Sequence, residues 1–184
     1  MKMKFNLSAL LLVISIAGQN ATAATKAKNC KVTFKTIGKP VLVQIDGTSG
    51  HPCVGSFEMA GNDLKNASFK MQLDKLETGI ALRNKHLREN YLHVDKYPDS
   101  TLTIDTIPNF AASVKEKSGA KLPFTPKLTL HGVTKEVKGA TYFIEGNVVT
   151  SEFRVELLDY GVERPSFMGV KVVDAVIIKV AFEL

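Results

Sequence analysis

The sequence predicts an all-β protein, an antiparallel barrel with one short helical insertion over about residues 79–93. Three observations carry that reading. Hydropathy alternates with a period of two along most of the chain, glycine- and proline-bearing breaks separate the alternating runs, and a single stretch has apolar residues at helical spacing.

The alternation is clearest over residues 67–73, where Ala67, Phe69, Met71 and Leu73 share one face and Ser68, Lys70 and Gln72 the other. A second run covers residues 149–157: Val149, Phe153, Val155 and Leu157 oppose Thr150, Glu152, Arg154 and Glu156, and Ser151 is a polar intruder on the dry face. The same rule places Val32 with Phe34, Val41 with Val43 and Ile45, and Phe57 with Met59 on dry faces. It continues through Leu102 with Ile104, Leu128 with Leu130, and Tyr142 with Ile144, and ends with Val176, Ile178, Val180 and Phe182. Reversals fall at Gly38-Lys39-Pro40, at residues 47–52, at Gly61-Asn62-Asp63 and at Gly146-Asn147, which supply the positive or fixed φ that tight turns need.

Between residues 79 and 93 the apolar positions Ile80, Leu82, Leu87 and Tyr91 fit a helix, with Thr78 as its N-cap and Pro98 ending it. Residues 108–126, charged in the middle and flanked by prolines, read as a solvated loop. About eight strands of this kind can close on themselves and so remove exposed sheet edges, leaving an interior wide enough for side chains or one small ligand. A packed β-sandwich gives the same alternation and stays open as an alternative.

Lys2 and Lys4, an apolar run over residues 7–17 and the small residues Ala21-Thr22-Ala23 form the pattern of an export leader cleaved near Ala23. The expectation is a periplasmic or secreted protein with no stable membrane insertion, because the apolar run is short for a bilayer span. Without the leader the net charge falls by two from +6, and the basic residues never form a block, so nucleic acid is not an expected partner. In an oxidising compartment Cys30 and Cys53 are expected to pair; two buried thiols are the alternative.

No chemistry-bearing motif stands out. His51, His86, His93 and His131 show no metal-ligand spacing, although His86 and His93 could share a helix face. No nucleophile elbow, phosphate loop or paired acid and base is visible, and neither a metal nor another cofactor is expected.

The stretch Thr78-Gly79-Ile80-Ala81-Leu82-Arg83-Asn84-Lys85-His86-Leu87, followed by Tyr97-Pro98, resembles the central signature of the YceI family, a threonine, a spacer, RDxHL and then YP. Residues 128–137, then Asp159-Tyr160-Gly161 and Val173-Asp174-Ala175-Val176, resemble its later motifs in the correct order. The resemblance implies a lipocalin-like barrel that encloses a polyisoprenoid or similar long-chain amphiphile and has no catalytic activity, and it leaves a homodimer open. One position departs from the signature: Asn84 stands where the family carries an acid, which removes any ion pair from Arg83 to it. The dry-face residues Phe57, Met59, Phe69, Met71, Leu102, Ile104, Tyr142, Ile144 and Phe153 are the candidate ligand-lining set, each with plain core packing as its alternative. Arg83 and His86 are candidates for polar contact with the ligand or for bracing the helix. A ligand-free interaction protein, and an enzyme built on Arg83 and His86, are the rival functions.

Overall fold

The computed structural model describes residues 23–40, 43–117 and 119–184. Residues 1–22 of the expected 1–23 leader, Val41 of an expected strand and Ser118 of the expected loop lie outside the described residues.

The chain lays down β1 (Thr25–Lys26), β2 (Lys28–Lys39), β3 (Val43–Thr48), β4 (Val54–Ala60) and β5 (Asp63–Gln72). Helix α1 (Ala81–His86) runs into a π-helical turn (Leu87–Tyr91) ahead of β6 (Asp99–Ile107). Helix α2 (Phe110–Glu116) is followed by β7 (Leu122–Phe124), β8 (Lys127–Leu130), β9 (Val133–Glu136), β10 (Ala140–Glu145) and β11 (Val148–Glu156). A 3₁₀ turn (Leu157–Tyr160), β12 (Ser166–Phe167), β13 (Val170–Val172) and β14 (Ala175–Glu183) come last.

Hydrogen bonding divides these strands into two antiparallel sheets, where the sequence reading expected one closed barrel. One sheet has the order β1-β4-β5-β6-β8-β9 and the other β12-β13-β2-β14-β11-β10-β7, with β3 paired to β2. A period of two identifies the dry face of a strand but not the ladder it joins, and here the chain passes between the sheets five times, twice within an almost unbroken extended run. Residues 25–39 pair first with β4 and then, past Ala27, with β14; the left-handed backbone of Asn29 (φ 47°) interrupts the ladder at the crossing. Residues 122–130 pair first with β10 and then with β6, and Pro126 between them has no N–H to donate to a continuous ladder. Single hydrogen bonds bridge both crossings: the Ala27 and Cys53 amides donate to Gly55 and Cys30, at 2.9 and 3.0 Å, and the Val137 amide donates to Pro126 at 2.8 Å.

The helical content also differs from expectation. The insertion is a six-residue α-helix continued by a π-helical turn, and it stops at Tyr91, well before Pro98; His93 then takes a left-handed φ of 45°. Ile80, not Thr78, is the N-cap residue, and no side chain caps it. Residues 108–126 are not a bare loop, since they hold α2 and β7. Phe110 anchors α2 by burying almost completely against Tyr142, at a ring separation of 5.9 Å, a tertiary contact that outweighs the polar character of the segment.

Between the sheets the filling is uneven. Towards one end Phe57 and Phe69 stack on Phe182, with ring centroids 5.8 and 4.8 Å away, and Phe110 and Phe124 flank Tyr142. Phe69 crosses directly over Gly55, its register partner, where a β-carbon would lie 2.5 Å from the ring. The other end is built mainly from Val, Ile and Leu and is not filled.

Cys30 and Cys53 are joined as expected, with a Cα–Cα distance of 5.0 Å, and the bridge closes the first crossing by tying β2 to the segment leading into β4. With 23 residues of separation, the chain-entropy model gives this cross-link a stabilisation of about 3 kcal/mol. Cys30→Ser with Cys53→Ser is therefore expected to lower the unfolding free energy by about that amount in urea titration, with little change in far-ultraviolet circular dichroism.

Candidate functional site

The unfilled end is a cavity of about 350 Å³, within the size range of small-molecule sites. Its walls come from both sheets, with Val32, Phe34 and Ile45 on one side of the first crossing and Phe69, Met71 and Leu102 on the other. Helix α1 and its π-helical turn contribute Arg83, His86, Leu87 and Tyr91, and the β12–β13 hairpin contributes Phe167, Met168 and Val170. The two covering elements are tied together: the Ser166 amide donates to the Tyr91 hydroxyl at 3.0 Å, and His86 meets the Phe167 ring edge-on at 5.9 Å.

The structure brings some of the expected lining residues together and leaves others elsewhere. Phe69, Met71, Leu102, Arg83 and His86 line the cavity. Phe57, Ile104, Tyr142, Ile144 and Phe153 are buried core residues away from it, and Met59 packs against that core. Alternation identified the nine strand residues as inward-facing, and Arg83 and His86 came from the signature motif; alternation carried no information about which inward positions meet side chains and which meet space. Missed altogether were the hairpin residues Phe167, Met168, Val170 and Val172, while Val43 and Ile80 at the rim were read as apolar positions of a strand and a helix but not as lining. The alternating β12 and β13 around Met168-Gly169 were the available signal, too short to register as strands.

Polar groups in the wall are few. Among the described residues, Arg83 and His86 are the only lining side chains that carry nitrogen and no carboxylate lines the cavity; hydroxyls come from Thr36, Thr78, Ser100, Ser166 and Tyr91. Arg83 is held from behind: its Nε donates to Thr78 Oγ1 at 2.8 Å, and Nη2 donates to the Thr78 carbonyl.

Asn84 explains how the chain manages without an acid at that position. It is almost fully buried, and its Oδ1 accepts from the Thr78 amide at 2.8 Å and the Thr78 hydroxyl at 2.6 Å. Its Nδ2 donates to Glu77 Oε1 at 2.6 Å, a bond that an aspartate could not make. The Asn84 donor, and after it the Gly79 amide at 2.6 Å, hold the Glu77 carboxyl below its usual range. Asn84 thus serves both sides of the turn into α1, and Thr78 in turn fixes Arg83.

The remaining motif residues meet at the far end of the insertion. His93 does not share a helix face with His86; it lies beyond the helix, and its Nδ1 is 2.8 Å from His131 Nε2. His131 Nδ1 is 3.2 Å from the Tyr160 carbonyl, so as a donor there it presents Nε2 as acceptor to His93. Tyr97 packs edge-on against His131 at 4.5 Å, and a β-carbon on Gly132, whose φ is +77°, would lie 2.6 Å from the Tyr97 ring. Lys135 pairs with Asp159 at 3.2 Å, and Asp174 accepts from the Leu158 amide at 2.9 Å. These contacts clasp the segment after the π-helical turn, the β8–β9 turn and the 3₁₀ turn together. Among the described residues, no group of three or more His, Cys, Asp or Glu is placed to hold a metal ion.

The model of the YceI-like domain matches residues 22–184. The chain belongs to the YceI-like family. Among curated relatives, Protein YceI of Salmonella arizonae is 35% identical over 83 residues, 45% of this chain and 39% of that protein. A UPF0312 protein of Enterobacter sp. strain 638 is 42% identical over 65 residues, 35% of this chain and 30% of that one. The matched part thus spans well under half the length of these relatives. Solved structures, two of which follow, also resemble this YceI-like chain. A polyisoprenoid binding domain from Saccharophagus degradans has 17% identity and a TM-score of 0.64, covering 88% of this chain and 98% of its own. BcnA of Burkholderia cenocepacia also has 17% identity, with a TM-score of 0.63 over 83% of this chain and 94% of its own. At that identity the likeness is one of fold.

Two outcomes test the Asn84 arrangement. Asn84→Asp sets a second carboxylate against Glu77 in a buried position and is expected to cost about 1–3 kcal/mol in urea titration; adding Glu77→Gln, whose amide can donate to the new carboxylate, should recover most of the loss. Because the Glu77 carboxyl is lowered in the folded state, its contribution is complete above the ordinary carboxylate range and fades as pH falls through the depressed value. The gap in melting temperature between wild type and Glu77→Gln should accordingly be largest near neutral pH and close under acid.

Proposed function

We propose that this chain binds one long-chain apolar amphiphile, of isoprenoid or fatty type, inside the cavity and sequesters or carries it without turning it over. The observation that carries this reading is the cavity itself: about 350 Å³ of space with almost wholly apolar walls and, among the described residues, two nitrogen-bearing side chains, Arg83 and His86, on the helix that covers it. Each methylene moved from water to such walls gains roughly 0.8 kcal/mol, before the cost of ordering the ligand. A tail lying along Val32, Phe69, Leu102 and Val180 has its polar end near Arg83 and His86. The polyisoprenoid binding described for the Saccharophagus domain supports a ligand of this class. The Cys30–Cys53 bridge and the basic, apolar N-terminal residues favour a place outside the cytoplasm, in the periplasm or beyond it.

Native mass spectrometry of protein purified without detergent is expected to show an apolar adduct. Met71→Trp or Ile178→Trp, each filling space in the wall, should remove the adduct and keep the β-type circular dichroism. Consistent absence of any adduct from wild type, across lipid extracts, would defeat the proposal and favour a ligand-free interaction role.

A further inference from the structure

The cavity opens where the protein exposes large apolar side chains. Val43, Ile80 and Met168 line the cavity and are 38%, 42% and 87% exposed, and Leu82, two residues along from Ile80, is 53% exposed. Met168 caps the β12–β13 turn with a left-handed φ of 50°, a conformation uncommon for an unbranched apolar residue, and it holds that side chain out into solvent. Water alone gives no reason for such a rim.

The same segments are basic. Residues 37–44, 77–91 and 163–172 carry six Lys or Arg against three Glu, and one of those acids, Glu77, is already engaged by Asn84 and Gly79. Lys39 and Lys171 face each other directly across the β2–β13 ladder, an arrangement of like charges that weakens the pairing. Among the described residues neither takes part in an ion pair.

We infer that this rim is a docking surface for an anionic lipid bilayer, with Leu82 and Met168 entering the interfacial layer and Lys39, Lys85 and Lys171 meeting its headgroups. The inference rests on the carrier reading above, since a cavity that opens onto the bilayer lets a hydrocarbon chain pass without crossing water. Apolar side chains among basic ones are the composition that interfacial binding requires, because both the acyl boundary and the negative surface then contribute. A second copy of the chain fits less well: a two-fold dimer places like patches together, so the basic rim would face itself.

The test uses the protein as purified without detergent, with vesicles of phosphatidylcholine containing phosphatidylglycerol and, separately, of phosphatidylcholine alone. Binding by flotation should be strong on the first, weak on the second, and reduced by added salt. Leu82→Asp should lower the partition coefficient about tenfold. Lys39→Glu with Lys171→Glu should lower it by at least about fivefold for each lysine. None of these three residues lines the cavity, so the apolar adduct in native mass spectra should persist in all the variants. Val54→Asp, at an exposed apolar residue that does not line the cavity, should bind as wild type does. An adduct without vesicle binding, equal binding to both vesicles, or a concentration-dependent dimer abolished by Leu82→Asp would each overturn the docking surface and leave the carrier reading standing. Vesicle binding by a protein that never carries an adduct would remove the carrier reading instead.

Discussion

Side-chain volume between the two sheets governs the rest of this structure. Protein interiors pack to nearly crystalline density, and an interior layer empties only where its residues are too small to reach across. Six aromatic rings fill one end, from Phe57, Phe69 and Phe182 to Phe110, Phe124 and Tyr142. At the other end Val32, Ile45, Val155, Val176 and Val180 are short and branched, and they leave the sheets apart over a gap that nothing in the described chain occupies. Helix α1 and the β12–β13 hairpin cover this gap without filling it, which is why their contacts with each other, through Tyr91 and Ser166, matter to its shape.

The motifs that mark the family are mostly the fittings of that cover. Thr78, Arg83 and Asn84 secure the front of α1 through hydrogen bonds to one another and to Glu77. His93, Tyr97, His131 and Tyr160 secure the segment behind it. Several motif side chains also line the cavity, and Arg83 and His86 are the nitrogen-bearing ones among the described residues, so bracing and polar contact are compatible roles for the same two residues.

The period of two exposed the strands to inspection because each has one wet face; the run Val149–Leu157 even placed Ser151 on the dry side, where its hydroxyl donates to the Val180 carbonyl at 3.3 Å. Short elements held by tertiary contact were illegible. Helix α2 depends on Phe110 finding Tyr142, 32 residues further along, and the β12–β13 hairpin pairs against Gly38 and Lys39, far back in the chain. The site was only half legible for a related reason. Phe69 and Phe153 look alike in sequence, yet one borders space and the other packs, because the difference lies in what the facing sheet presents. Asn84 read as a loss of charge pairing; only the structure shows Glu77 standing on its other side.

The two crossings give the wall a mechanical character. Ala27 and residues 125–126 are the two shortest of the five connections between the sheets, and no ladder is shared across them, so a change in sheet separation at these points falls on a few dihedral angles. The covalent bridge from Cys30 to Cys53 stiffens the first joint, so the second, at Thr125-Pro126, is the more compliant hinge. For the carrier proposed above, one braced edge and one unbraced edge would let the wall change width on one side only, to suit tails of differing branching.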